Sequence, residues 1–276
     1  MLLRYLHILG MLLSFSMLNP SVVYAWTDPT RGTSFKEYDS LTKAIEDEDH
    51  ISTRAIYRIE LDELRPTQSD VGMIEVHTRE NKIERRDEDE LLKYFLKGDD
   101  GKGKLAKIVI GPRNQIWLVD GHHLARAFYD LEYKFLLAKV VGNFSNLTDE
   151  DFEELLVKKK WTWLQRWPKG ATRPVQLKVS ELPKSIGGLR NDPFRSLAWA
   201  VKAEGGFKES KEPYQQFYWS DFFREYITEA ELNRDWDGSV QKALRLAWSE
   251  EARKRKLPGY IPGPVPLCKR SLKKHG

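Results

Sequence analysis

The chain has 276 residues, 41% of them hydrophobic and 12% aromatic, which is enough for one large or two small domains with a true apolar core. Its 45 lysines and arginines face 41 acidic residues, and a formal net charge of +4 excludes recognition of a polyanion by bulk charge alone. The single cysteine, Cys268, excludes an internal disulfide framework.

Residues 1–25 place one arginine, Arg4, ahead of an apolar stretch at 8–18, followed by Pro20 and the small-residue end Val23-Tyr24-Ala25. This is the pattern of a secretory signal peptide cleaved after Ala25, and its apolar part is short for a permanent bilayer span. The expectation is a secreted or periplasmic protein with no stable membrane span after signal removal. Residues 26–53 read as a polar lead-in without chemistry.

Residues 56–61 alternate, with Tyr57, Ile59 and Leu61 on one face, and predict a half-buried strand. The strand runs into a turn in which Pro66 biases Arg65 toward an extended conformation, and Glu63, Arg65, Thr67 and Gln68 supply groups suited to binding. Residues 71–107 read as helical and carry mixed charges typical of a solvated face. A hairpin follows, residues 107–110 and 115–119 about the turn Gly111-Pro112-Arg113-Asn114.

The most informative stretch is 115–129, QIWLVDGHHLARAFY. Ile116 to Val119 read as a short buried strand, Asp120 as an N-cap, and Gly121 as the point where the backbone turns sharply. Leu124, Ala127, Phe128 and Leu131 then fall on one helical stripe, so a helix starts at about Gly121. The first amides of a helix lack intrahelical acceptors and carry partial positive charge, which suits a phosphate. His122, His123 and Arg126 surround the same point. The competing reading is a plain structural cap with solvent-facing histidines.

Residues 134–141 form another apolar strand, and 149–156 an acidic helix start. Lysines at 158–160 then precede Trp161, Trp163 and Trp167, a combination that can stack nucleic-acid bases but more commonly packs a helix end. Residues 182–192 read as a linker. A helix follows over 193–204, with Pro193 at its first position, and a strongly aromatic one over 214–226. Arg195 and Arg224 are either accessory phosphate clamps or salt-bridge partners. Residues 258–276 read as a flexible basic tail. The predicted fold class is α+β: a small mixed sheet with packed helices in a core over 54–148, and a helical C-terminal portion over 149–257 docked on that core.

The succession of a strand with a Pro-Thr-Gln turn, a helical excursion, a hairpin, Asp120-Gly121-His122-His123-Leu124-Ala125-Arg126-Ala127 and a closing strand resembles the ParB/sulfiredoxin superfamily. More narrowly it resembles the ParB-like nuclease family. That likeness extends to Asp192-Pro193-Phe194-Arg195-Ser196-Leu197-Ala198, Gly205-Gly206-Phe207 and Phe217-Tyr218-Trp219-Ser220-Asp221-Phe222-Phe223-Arg224, and covers about 54–226. It implies a nucleoside-phosphate site at the turn Asp120 to His123, in a superfamily that includes a DNA clamp, a sulfinic-acid reductase and a serine kinase. The clamp's acidic residue and arginines after the glycine are replaced here by His122, His123 and Leu124. The turn also lacks the reductase's cysteine, so both of those activities are disfavoured.

Three functional expectations follow. In the first, a phosphate-containing substrate, nucleic acid or nucleotide, rests on the amides after Gly121. His122 or His123 moves the proton, and Arg126 with a residue among Arg65, Thr67 and Gln68 holds developing charge, giving a phosphodiesterase or nuclease. In the second, a kinase-like phosphotransferase uses Glu63 as base. The third is a non-catalytic anion- or partner-binding module. A divalent metal or a nucleotide stays open as cofactor, but no metal ligands are assigned, since Asp120, His122 and His123 cannot all point to one centre from one turn.

Overall fold

The computed structural model describes residues 35–53, 55–99 and 101–263; the expected signal peptide, most of the basic tail and Cys268 lie outside them. Strand β1 (Ile56–Glu60) buries Tyr57 and Ile59, as its alternation predicts. It pairs antiparallel with β6 (Phe135–Asn143), which runs parallel to β4 (Ala106–Ile110). The hairpin is present: β4 turns through Pro112–Asn114 into the antiparallel β5 (Ile116–Asp120). β2 (Leu64–Pro66) lies parallel to β5 and completes a mixed sheet of order β1-β6-β4-β5-β2. Pro66 sits on this edge strand, where a missing N–H is tolerated.

One face of the sheet is covered by α1 (Leu41–Glu46), α2 (Met73–Glu84), α3 (Glu88–Lys97) and α4 (His122–Asp130). Val76, Ile83, Phe95, Leu124 and Phe128 meet Ile59, Ile108, Leu118 and Leu136 there in one core. The lead-in is not merely a polar surface. Phe35 and Leu41 are fully buried in the same core, and Phe35 meets Phe95 edge-on at 5.3 Å. Scattered large apolar residues in a polar segment are enough to anchor it. The other face carries α5 (Asp149–Lys158), whose Phe152 and Leu156 pack on Val109 and Trp117.

After a small antiparallel pair, β7 (Gln165–Arg166) and β8 (Val175–Gln176), comes the segment expected as a linker. It is instead a docked strap. Ile186 and Leu189 enter the main core, and β9 (Arg190–Asn191) pairs parallel with β3 (Asp70–Val71). Its prolines and glycines signal the absence of helix, not the absence of contact. Helices α6 (Pro193–Ala203), α7 (Gln215–Arg224), α8 (Glu229–Arg234), α9 (Trp236–Ala247) and α10 (Glu250–Lys254) build a second core from Phe194, Leu197, Trp219, Phe223 and Val240. Phe207 stacks on Trp219 at 4.4 Å. The first tail residues are held as well, since the Pro258 carbonyl accepts from Gln215 Nε2 and Trp219 Nε1, both at 2.8 Å. The molecule is α+β, a mixed sheet with packed helices and a helical C-terminal part, and α6 packs directly on α2.

Candidate functional site

The pivot is Gly121, which caps α4 with φ 98°, a left-handed conformation open to glycine at little cost. Asp120 is not the N-cap. It ends β5, and its exposed carboxylate takes Lys107 Nζ at 2.8 Å. With the turn made one residue later, no side chain caps the first amides of α4.

The two histidines do not face solvent. Thr67 N–H donates to His122 Nε2 at 3.1 Å, and Gly72 N–H donates to His123 Nε2 at 3.1 Å. Two successive imidazoles thus hold both ends of the segment between β2 and α2. Burial, reinforced by His123 and Arg195, lowers the His122 pKa to about 3 despite a hydrogen bond to the Leu118 carbonyl. Burial also lowers that of His123 to about 4, against the opposing pull of Glu75 and with Arg195 and Arg79 adding to the drop. Both are neutral at pH 7, as acceptance of an amide proton at Nε2 requires.

Glu75, on α2, is buried, and its Oε2 lies 3.6 Å from His123 Nε2. Burial opposes its charge, but His123, Arg79 and Arg195 override that and hold its pKa near 2. Arg79 binds Glu75 Oε1 through Nε at 3.2 Å and Nη2 at 2.7 Å.

Above this layer lies Arg195, on the first turns of α6 and only 4% exposed. Among the described residues its Nε and Nη1 have no hydrogen-bond acceptor. Four carboxylates act on it through space, but none hydrogen-bonds to those atoms. Asp192 pairs with Arg224, Asp70 with Arg190 at 2.8 Å, and Asp221 accepts from Trp167 Nε1. Glu75 pairs with Arg79 through Oε1, while its Oε2 has no hydrogen-bond partner among the described residues. Its guanidinium carbon lies 3.5 Å over the Phe217 ring instead. Burial lowers its pKa, yet a guanidinium remains charged. Arg195 lines a cavity of about 760 Å³ together with Thr67, Gln68, Gly121, His122 and His123, and Trp163, Tyr214 and Phe217 supply an aromatic part of the same wall.

The fold therefore gathers Asp120, Gly121, His122, His123, Thr67, Gln68 and Arg195 around one cavity. It leaves out four others. Glu63 and Arg65 line a separate depression with Arg113 and Lys184; Glu63 accepts from Thr42 Oγ1, and Arg65 lies over Trp117 on the opposite sheet face. Their distance from the cavity follows from β2, which lies between Glu63 and Thr67 and pairs Arg65 with Trp117. Arg126 binds Asp130 at 2.7 Å and the Leu189 carbonyl of the strap. Arg224 pairs with Asp192 and lies over Phe194 and Trp167, tying α7 to the start of α6. Conversely, sequence reasoning missed Glu75, whose only signal was its i,i+4 spacing to Arg79 within a charged run. Among the described residues, no group of three or more His, Cys, Asp or Glu side chains is placed to hold a metal ion.

Residues 57–225 match the model of a family described as putative ParB-like nuclease. The chain belongs to that family. The matched segment contains the histidine pair, Arg195 and the aromatic wall. In three dimensions the ParB-like chain is similar to protein Atu1540 from Agrobacterium tumefaciens, known from a crystal structure. The two are 28% identical with a TM-score of 0.64, covering 76% of this chain and 100% of that one. No curated protein matches the sequence.

Proposed function

We propose that the cavity binds a phosphate group between Arg195 and the start of α4, and that the protein acts there as a phosphoester hydrolase, in keeping with the nuclease description of its family. The supporting observation is the buried Arg195, whose Nε and Nη1 keep two donors unused in the cavity that the uncapped start of α4 also lines. A buried cation with idle donors is costly unless an anion completes it. A doubly held phosphate also matches the planar fork of a guanidinium.

For hydrolysis, water attacks phosphorus, the P–O bond to the leaving group breaks, and a proton must leave the water and reach the leaving oxygen. We assign this transfer to His123: its Nε2, released from the Gly72 N–H, takes the proton from the water, and the resulting imidazolium gives a proton to the leaving oxygen. Burial lowers its pKa to about 4, and Glu75 beside it together with a bound phosphate acts against that, toward the imidazolium. His122 is a positioning residue, with Nε2 engaged by Thr67 and a hydrogen bond to the Leu118 carbonyl. The amides already accepted by both Nε2 atoms support a second reading, a binding module without turnover. Phosphotransfer with Glu63 as base has no geometric support, because Glu63 lies beyond β2.

The test uses purified protein with inorganic phosphate, a chromogenic phosphodiester, DNA and RNA, with and without divalent metal. Arg195→Gln is expected to weaken phosphate binding by roughly 10- to 150-fold, the worth of one charge-assisted hydrogen bond. Turnover that disappears in both His123→Ala and His123→Gln, with folding intact, supports hydrolysis. Arg195-dependent binding without turnover selects the module, and phosphate binding indifferent to Arg195 refutes both. We further infer that residues 1–25 direct export. The mature N-terminus is then Trp26 in periplasm or medium, and a cytosolic protein retaining Met1 refutes it. No described helix is long and apolar enough to cross a membrane.

A further inference from the structure

Building on the phosphate reading of this cavity, the geometry points to an unpaired nucleic-acid strand as its occupant, with a base stacked on Trp163 while the phosphate of the same nucleotide reaches Arg195. Three side chains form a continuous stack. The Arg195 guanidinium lies 3.5 Å over Phe217, and the Phe217 ring is 4.5 Å from that of Trp163 and tilted by 32°. Tyr214 and Tyr218 buttress Trp163 at 5.1 and 5.8 Å, and the Tyr214 hydroxyl donates to the Thr162 carbonyl at 2.7 Å. The anion anchor and the aromatic wall are therefore positioned as one unit. Trp163 is only partly buried and lines the same cavity as Arg195.

A wall of this kind has no use for a bare phosphate, but it fits a π-face, and base stacking on aromatics needs no particular sequence. A duplex does not fit. Its base faces are covered by neighbouring pairs and its phosphates lie on the outside of a stiff rod, whereas Arg195 is almost fully enclosed. A strand of several nucleotides fits better than a single one because cations continue around the mouth. Lys107, Lys160 and Lys202 line it and are tied to the exposed carboxylates of Asp120, Glu212 and Glu209, which strand phosphates can replace at little cost.

The experiment measures binding of end-labelled oligonucleotides to the full mature chain at one salt concentration, with strand integrity checked on a gel. The probes are a single strand, its duplex, the same strand with abasic sites throughout, and a mononucleotide. The single strand is expected to bind tightest, with duplex and abasic strand weaker by roughly 5- to 150-fold, the worth of one stacked base. Trp163→Leu should lose a similar factor toward the single strand and almost nothing toward the abasic one. Equal binding of duplex or abasic strand, or a mononucleotide as tight as the strand, overturns the proposal and leaves the phosphate site standing. If inorganic phosphate does not compete and Arg195→Gln changes nothing, the phosphate reading itself has failed. The wild-type abasic comparison decides the matter even if Trp163→Leu folds poorly.

Discussion

His122 and His123 were legible as a pair, but their protonation was not. A histidine at a helix start invites the expectation of an imidazolium or a free base, and both are neutral acceptors of backbone amides. The sign of their pH dependence follows. Their native pKa values of about 3 and 4 lie below the ordinary 6.5, so between about pH 6.5 and pH 4 the unfolded chain binds more protons than the folded one. Stability is then full above pH 6.5 and declines as the pH falls through that window. Glu75, depressed to about 2, acts in the same direction at lower pH, its contribution being lost as its carboxylate protonates. Thermal melts between pH 7.5 and 4.5 should show a falling midpoint, and His122→Asn should flatten part of that slope.

At the scale of elements, two glycines set how closely the pieces approach. Gly121 starts α4 in a conformation that L side chains rarely adopt, and a Cβ there would also meet Ala106 at 3.2 Å. Gly121→Ala should lower stability by about 1–2 kcal/mol in urea titrations, the cost of a left-handed non-glycine residue. Gly72 has an ordinary φ, but a Cβ on it would come within 2.7 Å of Ser196 N on α6. Gly72→Ala must therefore push α6 away from α2 and carry Arg195 with it. We expect about 1–3 kcal/mol of destabilisation from overpacking, together with weakened phosphate binding out of proportion to the stability loss. Retained affinity in a destabilised variant would show that α6 does not set the site.

Across the whole molecule, the cavity exists because the sheet body and the helical part are joined by short, direct contacts. The Thr67 carbonyl accepts from Trp163 N–H at 3.1 Å and from Thr162 Oγ1 at 2.8 Å. Asp192 N–H donates to the Val71 carbonyl at 2.8 Å, and Ile74 N–H to Ser196 Oγ at 3.2 Å. Such stitching predicts that the two cores unfold together. Tryptophan fluorescence, weighted toward the C-terminal half, and far-UV circular dichroism should give coincident urea transitions. Two separated transitions would mean that the cores are energetically independent.

The sequence alone determined the α+β class, the hairpin, the start of α4 and the family, because hydrophobic period, turn residues and a local motif are short-range properties. It also pointed to His122, His123, Thr67, Gln68 and Arg195, which the cavity does contain. Only the tertiary structure separated Arg195 from Arg126, Arg224 and Arg65. All four are arginines in similar company along the chain, and what distinguishes Arg195 is that it lines the cavity with Nε and Nη1 unengaged. That is decided by the docking of α6 on α2 and of the strap on α4, contacts between residues far apart in sequence that no local pattern encodes.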